Sequence, residues 1–592
     1  MRKNSFPLLF LGFLCLLLPA CDRGGSAGNP PAPAGDPLAA YQWHLRNTGQ
    51  KTFSQSAGEA GSDLNIGKTM ADGITGAGVI VAVVDTGLEI GHEDLVNNVI
   101  PGGSYNFVGK TTDPSPPAIG KDGEYGDHGT SVAGIIAAEA NNGKGGSGVA
   151  SKASLKGFNY LATDAPADEV ASLGGSDRSK DVHVFNMSYG ATVNMFIPLS
   201  KTEDELWEST KTLRGGKGGI YVKSSGNGYE DVRQEDKSWY ACRRDAAYPD
   251  AVKALDVTCE NATGNELCGR PELIVIGAYN ASGVKSSYST AGSVLWVSAP
   301  GGEYGSASPA ILTTDQSGCD KGYSRRRDLY SVSRPAANDF EMGEAENDGK
   351  YNPGCNYTST FNGTSSAAPN ASGAVALILQ ANPNLKRREV KHILARTARP
   401  IDSGIAAQTL TIAGKPYTAE QGWITNKANP AYRFHNWYGF GAIDVDAAVT
   451  MAKTYQPGTL GEPQQKVYGG DLAHPLAVPD ENADGATARI TIPDNLTIEH
   501  LSVGVAIDHP NTGELGIELT SPGGTKSILL NIRSAVKTGL YHFDNGTIIP
   551  APLASNAFYG EKAAGEWTLR IVDGVAGNTG ALKYFALGIL GY

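Results

Sequence analysis

Cysteine is scarce, 7 residues in 592, and two of those, Cys15 and Cys21, fall in the first twenty-one positions. No CxxC pair occurs, which removes the usual zinc-ribbon patterns. Basic excess is also missing. Lys and Arg total 49 against 61 Asp and Glu, a formal charge of −12 with no long basic run. A nucleic-acid or anionic-membrane surface therefore has no electrostatic footing. The apolar stretch Phe6 to Leu18 is too short to cross a bilayer as a helix. Glycine is abundant, 75 residues, but follows no G-X-Y period, so it marks tight turns and close backbone approaches rather than collagen. With 40% hydrophobic and 19% charged residues the chain buries a sizeable core, and its length suits two or three domains.

Arg2 and Lys3 ahead of Phe6 to Leu18 read as a signal peptide spanning 1–20, which takes the chain out of the cytoplasm. The segment Leu18-Pro19-Ala20-Cys21 resembles a bacterial lipobox and implies cleavage before Cys21 and acylation of its thiol; plain secretion is the other reading. Residues 21–35, rich in Gly, Pro, Ala and Ser, form a tether, and folding is expected to start at Asp36. In an oxidising compartment Cys242, Cys259, Cys268, Cys319 and Cys355 are available for disulfides, and five is odd. Cys259 with Cys268 and Cys319 with Cys355 close the most local loops and are the preferred pairs, although sequence leaves connectivity open.

The run Val79 to Val84 is continuously apolar and β-rich and ends in Asp85, as expected of a strand buried on both faces of a parallel sheet. Val182 to Met187, Gly219 to Val222 and Leu273 to Ile276 repeat the pattern. Helical stretches alternate with them at Thr130 to Ala140, Asp204 to Leu213, Ser366 to Ala381 and Lys386 to Ala395. This is an α/β arrangement whose ligand site opens at the carboxyl ends of the strands. Three short motifs lie where that rule places function: Asp85 in Asp85-Thr86-Gly87, His128 in Asp127-His128-Gly129-Thr130-Ser131, and Ser365 in Gly363-Thr364-Ser365-Ser366-Ala367. Asp, His and Ser in that chain order match subtilisins, not chymotrypsins or α/β-hydrolases. No G-x-S-x-G elbow surrounds Ser365, which disfavours an esterase.

From about Asp36 onward the chain resembles a subtilisin-like serine peptidase of the kexin/furin branch. The resemblance implies a three-layer α/β domain over 36–454 in which Ser365 attacks a scissile carbonyl, His128 takes its proton and Asp85 orients the imidazole. Asn227, in Ser225-Gly226-Asn227-Gly228, corresponds to the oxyanion donor, and Ser188-Tyr189-Gly190 to the edge that pairs with extended substrate. Asp36, Asp94 and Asn142 stand at side-chain ligand positions of a Ca²⁺ site, with Glu139, Lys144 and Gly146 as carbonyl donors. A second calcium site loses its support, because Thr290 lies where the branch carries Glu. Cleavage after Lys or Arg has less support as well: Ala191-Thr192-Val193 carries no acid, and Glu260 or Glu266 is left to supply the negative charge. The long polar insertion from Gly301 to Cys355 carries Arg325-Arg326-Arg327.

Only about fifteen residues separate Cys21 from Asp36, too few for an inhibitory pro-domain, and this leads to the expectation that a separate protein assists folding. After a helix around Ile443 to Lys453, residues 455–465 read as a linker. Residues 466–592 then carry strand signals at Ala488 to Ile492, Leu501 to Ile507, Leu515 to Thr520, Ser527 to Leu530, Trp567 to Val572 and Ala586 to Leu590. This argues a β-sandwich or jelly roll that resembles the P-domain of the same branch. The function expected is an extracytoplasmic serine endopeptidase acting on proteins or peptides; the rival class is a catalytically silent, lipid-anchored binding protein on a peptidase scaffold.

Overall fold

The computed structural model describes residues 35–117, 128–190, 196–233, 239–324, 338–341, 351–534, 540–544 and 547–592. The leader, Cys21, the segment Ala191-Thr192-Val193 and the run Arg325-Arg326-Arg327 lie outside the described residues. Among the described residues no helix is long and apolar enough to cross a membrane.

The apolar runs form a six-stranded sheet. Its strands are β1 (Ile80–Val84), β2 (Ser154–Phe158), β3 (Val184–Met187), β4 (Ile220–Ser224), β5 (Leu273–Tyr279) and β6 (Val297–Pro300). They lie in the order β2-β1-β3-β4-β5-β6, all paired in parallel, with Val83 opposite Asn186 and Val184 opposite Ile220. Every residue of β3, β4 and β5 is buried, which is why these strands read as largely apolar rather than alternating, with Asn186 and Lys223 among the polar exceptions, reaching towards the site. Helix α1 (His128–Ala137) and helix α3 (Thr364–Ala381) cover one face; α2 (Lys201–Ser209) precedes β4, and α4 (Arg387–Thr397) and α5 (Val445–Thr454) follow α3. Small residues let α3 sink into the fold: Ala367, Ala368, Ala371 and Ala374 are each fully buried, and the helix crosses β3, β4, β5 and β6. Pro369, the sixth residue of this helix, cannot donate to the Ser365 carbonyl four residues back, and that carbonyl accepts from Ser188 Oγ at 3.0 Å instead.

From Gln464 onward the described residues form two larger antiparallel sheets. Five strands run in the order Gln464–Val478, Gly580–Gly591, Ile498–Asp508, Thr547–Ala554, Tyr541–Asp544, and four in the order Asn482–Ile492, Gly565–Asp573, Leu515–Thr520, Lys526–Leu530. Leu501, Val503, Val505, Ile517, Leu519, Trp567 and Leu587 fill the space between them as a core separate from that of the parallel sheet. The strand Gln464–Val478 carried no strand signal in the sequence because it is a largely exposed edge interrupted by Gly469, Gly470 and Pro475.

Buried polar contacts tie this β region to the parallel-sheet region. Arg533, fully buried, donates from Nη1 to the Lys253 carbonyl at 2.8 Å and from Nη2 to those of Leu255 and Val257 at 2.9 Å each. Asn556 Nδ2 donates to the Val294 carbonyl at 2.7 Å, and Arg388 pairs with Glu499.

The disulfides correct one expectation. Cys319 joins Cys355, but Cys259 pairs with Cys242 rather than Cys268. The strands Asp231–Arg233 and Trp239–Ala241 pair with each other and bring Cys242 back to Cys259, with 5.6 Å between Cα atoms. Cys268 is a buried free thiol. Proximity along the chain misled because a fold-back, not the shortest loop, supplied the partner.

Candidate active site

Asp85 follows β1, Ser188 follows β3, and Ser225 to Gly228 follow β4. These strands are neighbours, so their carboxyl ends deliver the three segments to one edge of the sheet. Asp85 is fully buried; its Oδ1 accepts from the Thr86 N–H at 2.7 Å and lies 2.8 Å from His128 Nδ1. A carboxylate accepts, so Nδ1 carries the imidazole proton and Nε2 presents its lone pair. His128 opens α1, and its ring meets Phe361 edge-on at 5.3 Å. Gly129 allows the approach: a Cβ there would lie 1.9 Å from the Gly87 carbonyl oxygen and 3.0 Å from Asp85 Cβ.

Ser365 is the second residue of α3 and is half-exposed. Its hydroxyl donates to the Ser188 carbonyl at 3.2 Å, and Ser188 Oγ donates back to the Ser365 carbonyl at 3.0 Å. Asn186 Nδ2 donates to Ser188 Oγ at 2.9 Å, and its Oδ1 accepts from Ser372 on α3, also at 2.9 Å. The expected substrate edge is thereby fastened to the helix that carries Ser365. Tyr189 donates through its hydroxyl to Glu169 Oε1 at 3.2 Å, and burial raises the tyrosine pKa. Burial, reinforced by Glu203, also pushes the Glu169 carboxyl up to about 7.

The Thr364 backbone N–H and hydroxyl both donate to Asn227 Oδ1, at 2.9 and 3.0 Å. An N–H requires an acceptor, so the amide orientation is fixed: the oxygen faces Thr364 and the exposed side chain is left with its NH₂ as a donor. The Ser365 N–H lies in the first helical turn, without an intrahelical acceptor. Two donors and a hydroxyl on adjoining segments suit stabilisation of an oxyanion during attack on a carbonyl.

A cavity of about 100 Å³ adjoins Ser365 and Asn227. Ser188, Tyr189 and Gly190 line it, as do Lys223, which was given no role from the sequence, Cys268, which was expected in a disulfide, and Glu260, which was weighed as a source of negative charge. The signal for Lys223 is a lone cation ending an apolar run, Ile220-Tyr221-Val222-Lys223. Burial lowers its pKa, with Cys268, Glu260 and Glu169 acting in the opposite sense. Glu266 lies elsewhere, accepting from the Leu199 N–H at 2.7 Å.

The residues expected to hold calcium come together around the loop 139–146. Asp36 accepts from the N–H groups of Asn141, Asn142 and Gly143 at 2.7, 3.0 and 3.2 Å. Asp94 Oδ1 accepts from Asn142 Nδ2 at 2.7 Å, while its buried Oδ2 has no hydrogen-bond partner among the described residues. Burial raises the Asp94 pKa to about 7, and Asp36 adds repulsion. Glu139 Oε2 accepts from Asn97 Nδ2 at 2.7 Å, and the Lys144 N–H donates to Asn142 Oδ1 at 2.8 Å. Gly145, at φ +39°, leaves room: a Cβ there would sit 2.4 Å from Asp94 Oδ2. Gly146 follows directly. Two facing carboxylates, one with an orphaned oxygen, and an oxygen-rich loop fit a hard divalent cation.

Comparison with known proteins gives a concordant picture. The Subtilase family model matches residues 76–441, and the Proprotein convertase P-domain model matches residues 498–589. An Aeromonas extracellular serine protease of Aeromonas sobria is 38% identical over 578 residues, covering 94% of this chain and 87% of the relative. Mouse furin is 28% identical over 568 residues, 94% of this chain and 58% of furin. The crystal structure of the serine protease of Aeromonas sobria superposes with a TM-score of 0.84 at 32% identity, covering 96% of this chain and 99% of that one. The same protease in complex with a chaperone gives 0.84 at 33% identity, covering 97% and 98%. With a six-stranded parallel sheet, an Asp85–His128 pair at its carboxyl edge and a two-sheet β region behind it, the chain belongs to the subtilase family of serine endopeptidases and carries a proprotein-convertase P-domain.

Proposed function

We propose that Ser365 is the nucleophile, His128 the general base and then acid, and Asp85 the residue that orients and stabilises the imidazole, while Asn227 Nδ2 and the Ser365 N–H receive the oxyanion. The observation that carries this reading is the 2.8 Å contact between Asp85 Oδ1 and His128 Nδ1, made at the strand edge that also bears Ser188 and Asn227. Catalysis requires the Ser365 hydroxyl to leave the Ser188 carbonyl and turn to His128 Nε2; a bound peptide pairing along Ser188-Tyr189-Gly190 would compete for that carbonyl and release it. In the cavity beside Ser365, Glu260 supports a basic residue before the cut and Lys223 opposes one.

The same reading assigns 36–454 to the peptidase domain, 455–465 to a linker and 466–592 to the P-domain, with 1–20 a signal and 21–35 a tether. Calcium at Asp36, Asp94 and Asn142, with Glu139, Lys144 and Gly146 contributing, would supply charge neutralisation that holds the loop. The protein works outside the cytoplasm, either acylated at Cys21 or secreted; its Aeromonas relative is named as extracellular. A separate chaperone assists folding, supported by the chaperone complex of the structural relative. The test is fluorophosphonate labelling followed by peptide mapping. Labelling at Ser365, lost in His128→Ala and Ser365→Ala, is expected; an unmodified Ser365 in folded protein overturns the assignment.

A further inference from the structure

A cleft of about 700 Å³ lies between the parallel-sheet region and the β region, with α4 on one wall and the strand Ile498–Asp508 on the other. It has no residue in common with the cavity beside Ser365, although one segment borders both: Glu266 and Gly269 line the cleft, Asn265 and Cys268 the cavity. Its volume is that of sites which hold small organic molecules, and such sites favour the boundary between packed regions.

The acidic groups at the centre of this cleft are spent on its arginines. Asp204 pairs with Arg270, Glu272 accepts from Arg270 Nε at 3.1 Å and lies 3.8 Å from Arg387 Nη2, and Glu499 accepts from Arg388 Nε at 2.8 Å. Lys391, on α4, is left over. It is only 6% exposed; its Nζ donates to the Pro271 carbonyl at 2.8 Å and lies 4.1 Å from the centre of the Trp296 ring, and among the described residues no carboxylate comes within ion-pair distance. Two of its three N–H bonds are therefore unspent. Burial lowers its pKa to about 7 and Arg387 adds repulsion, against the pull of Glu272 and Glu499. His500, half-buried on the facing strand, has no hydrogen-bond partner at either ring nitrogen among the described residues. Burial lowers its pKa to about 3, and Lys391 and Arg270 both push it the same way, so these cations lie close to the ring. A buried cation without a counter-ion and an unpaired imidazole are each costly, and they share one space. The Pro271 carbonyl and the Trp296 ring fix the ammonium in advance of any ligand.

We propose that this cleft is a binding site for a small organic anion, whose carboxylate or phosphate oxygens accept from the free N–H bonds of Lys391 and from the His500 ring and whose body lies along the cleft. The proposal is independent of the role of Ser365. It is tested by isothermal titration of the full chain with inorganic phosphate and, separately, with succinate, at an ionic strength held constant with sodium chloride, and repeated on Lys391→Met and His500→Phe. The wild type is expected to bind at least one of the two anions, one per chain, with a Kd of about 1 mM or tighter. The tighter of the two names the class: phosphate points to a phosphorylated ligand, succinate to a carboxylic acid. Lys391→Met is expected to weaken binding at least about tenfold, the scale of a charge-assisted hydrogen bond. His500→Phe is expected to weaken it at least about threefold, and it carries the test alone should Lys391→Met fail to fold. Folding of each variant is read from its thermal melt. No saturable binding of either anion up to about 10 mM, ten times the expected Kd, overturns the proposal. So do affinities in the folded variants equal to that of the wild type.

Discussion

Replacing Asn227 with Ala separates catalysis from structure at this site. The side chain is exposed, and it makes two contacts, both onto Oδ1: from the Thr364 N–H at 2.9 Å and from Thr364 Oγ1 at 3.0 Å. Thr364 stays anchored without it, because its single hydroxyl proton can turn to the Gly226 carbonyl at 3.1 Å while the oxygen accepts from the Gly226 N–H at 3.2 Å. Water can replace a partner at an exposed site, so the loss of stability is about 1 kcal/mol or less. The Nδ2 donor, by contrast, acts when the carbonyl oxygen becomes an anion. Loss of one such donor from a subtilisin lowers kcat by about 10²–10³, or about 2.7–4 kcal/mol, and the same range is expected here with KM little changed. Steady-state cleavage of a peptide amide gives kcat and KM, and a thermal melt gives the stability. Asn227→Asp sharpens the comparison, since a carboxylate still accepts from Thr364 but has no N–H to offer; it should lose activity to a similar extent with less effect on the melt. A kcat within threefold of wild type in Asn227→Ala would refute the role given to this amide.

Chelation with EDTA is expected to lower the melting temperature, since a ligand at a hundred times its Kd stabilises by about 2.7 kcal/mol; Asp94→Asn should reduce that shift, and an equal EDTA shift in the variant would move the ion elsewhere. Arg533→Ala leaves the carbonyls of Lys253, Leu255 and Val257 without their shared donor and should cost about 3 kcal/mol in denaturant unfolding; a loss under about 1 kcal/mol contradicts the view that this side chain fastens the two regions. Glu169 has its pKa raised from 4.5 to about 7 by burial. The stability it confers is therefore full below pH 4.5 and lost as pH rises through 7, at most about 3 kcal/mol. Measured against Glu169→Gln, wild-type stability should fall across that window, and a flat difference refutes the raised pKa.

The parts of the fold that could be read from sequence are those buried on both faces. Val81 to Val84 and Leu273 to Ile276 are buried at every position, and their unbroken apolar runs follow from that. Helix ends moved by up to four residues: the expected Asp204 to Leu213 is Lys201–Ser209, and the expected Ser366 start became Thr364, because the chain turns at Gly363 with φ +95°. The strand Gln464–Val478 was missed because its partner, Gly580–Gly591, lies more than a hundred residues away and supplies the pairing that its exposed side chains do not announce. Cys259 misled for a similar reason, since its partner is chosen by a hairpin. At the site, Asp85, His128, Asn227 and Ser365 stood out as motifs, whereas Lys223 and Cys268 did not. A cavity wall is a property of packing between segments, and no local pattern encodes it.

Strand order explains why residues so far apart in sequence meet. In a parallel sheet every crossover returns the chain to the same edge, so successive strands deposit their carboxyl ends side by side. Here β1, β3 and β4 are consecutive neighbours, which sets Asp85 beside Ser188 and Ser188 beside Asn227 without any contact between their own side chains being needed to bring them there. Helix α3 then adds Ser365 from above, and Ser372 fixes its rotation by holding Asn186 on β3. Lys223 belongs to the same device: it lies within β4 itself, opposite Met187 of β3, one strand residue from the segment that carries Asn227. A change at Lys223 large enough to shift β4 would move the oxyanion donor along with the cavity wall.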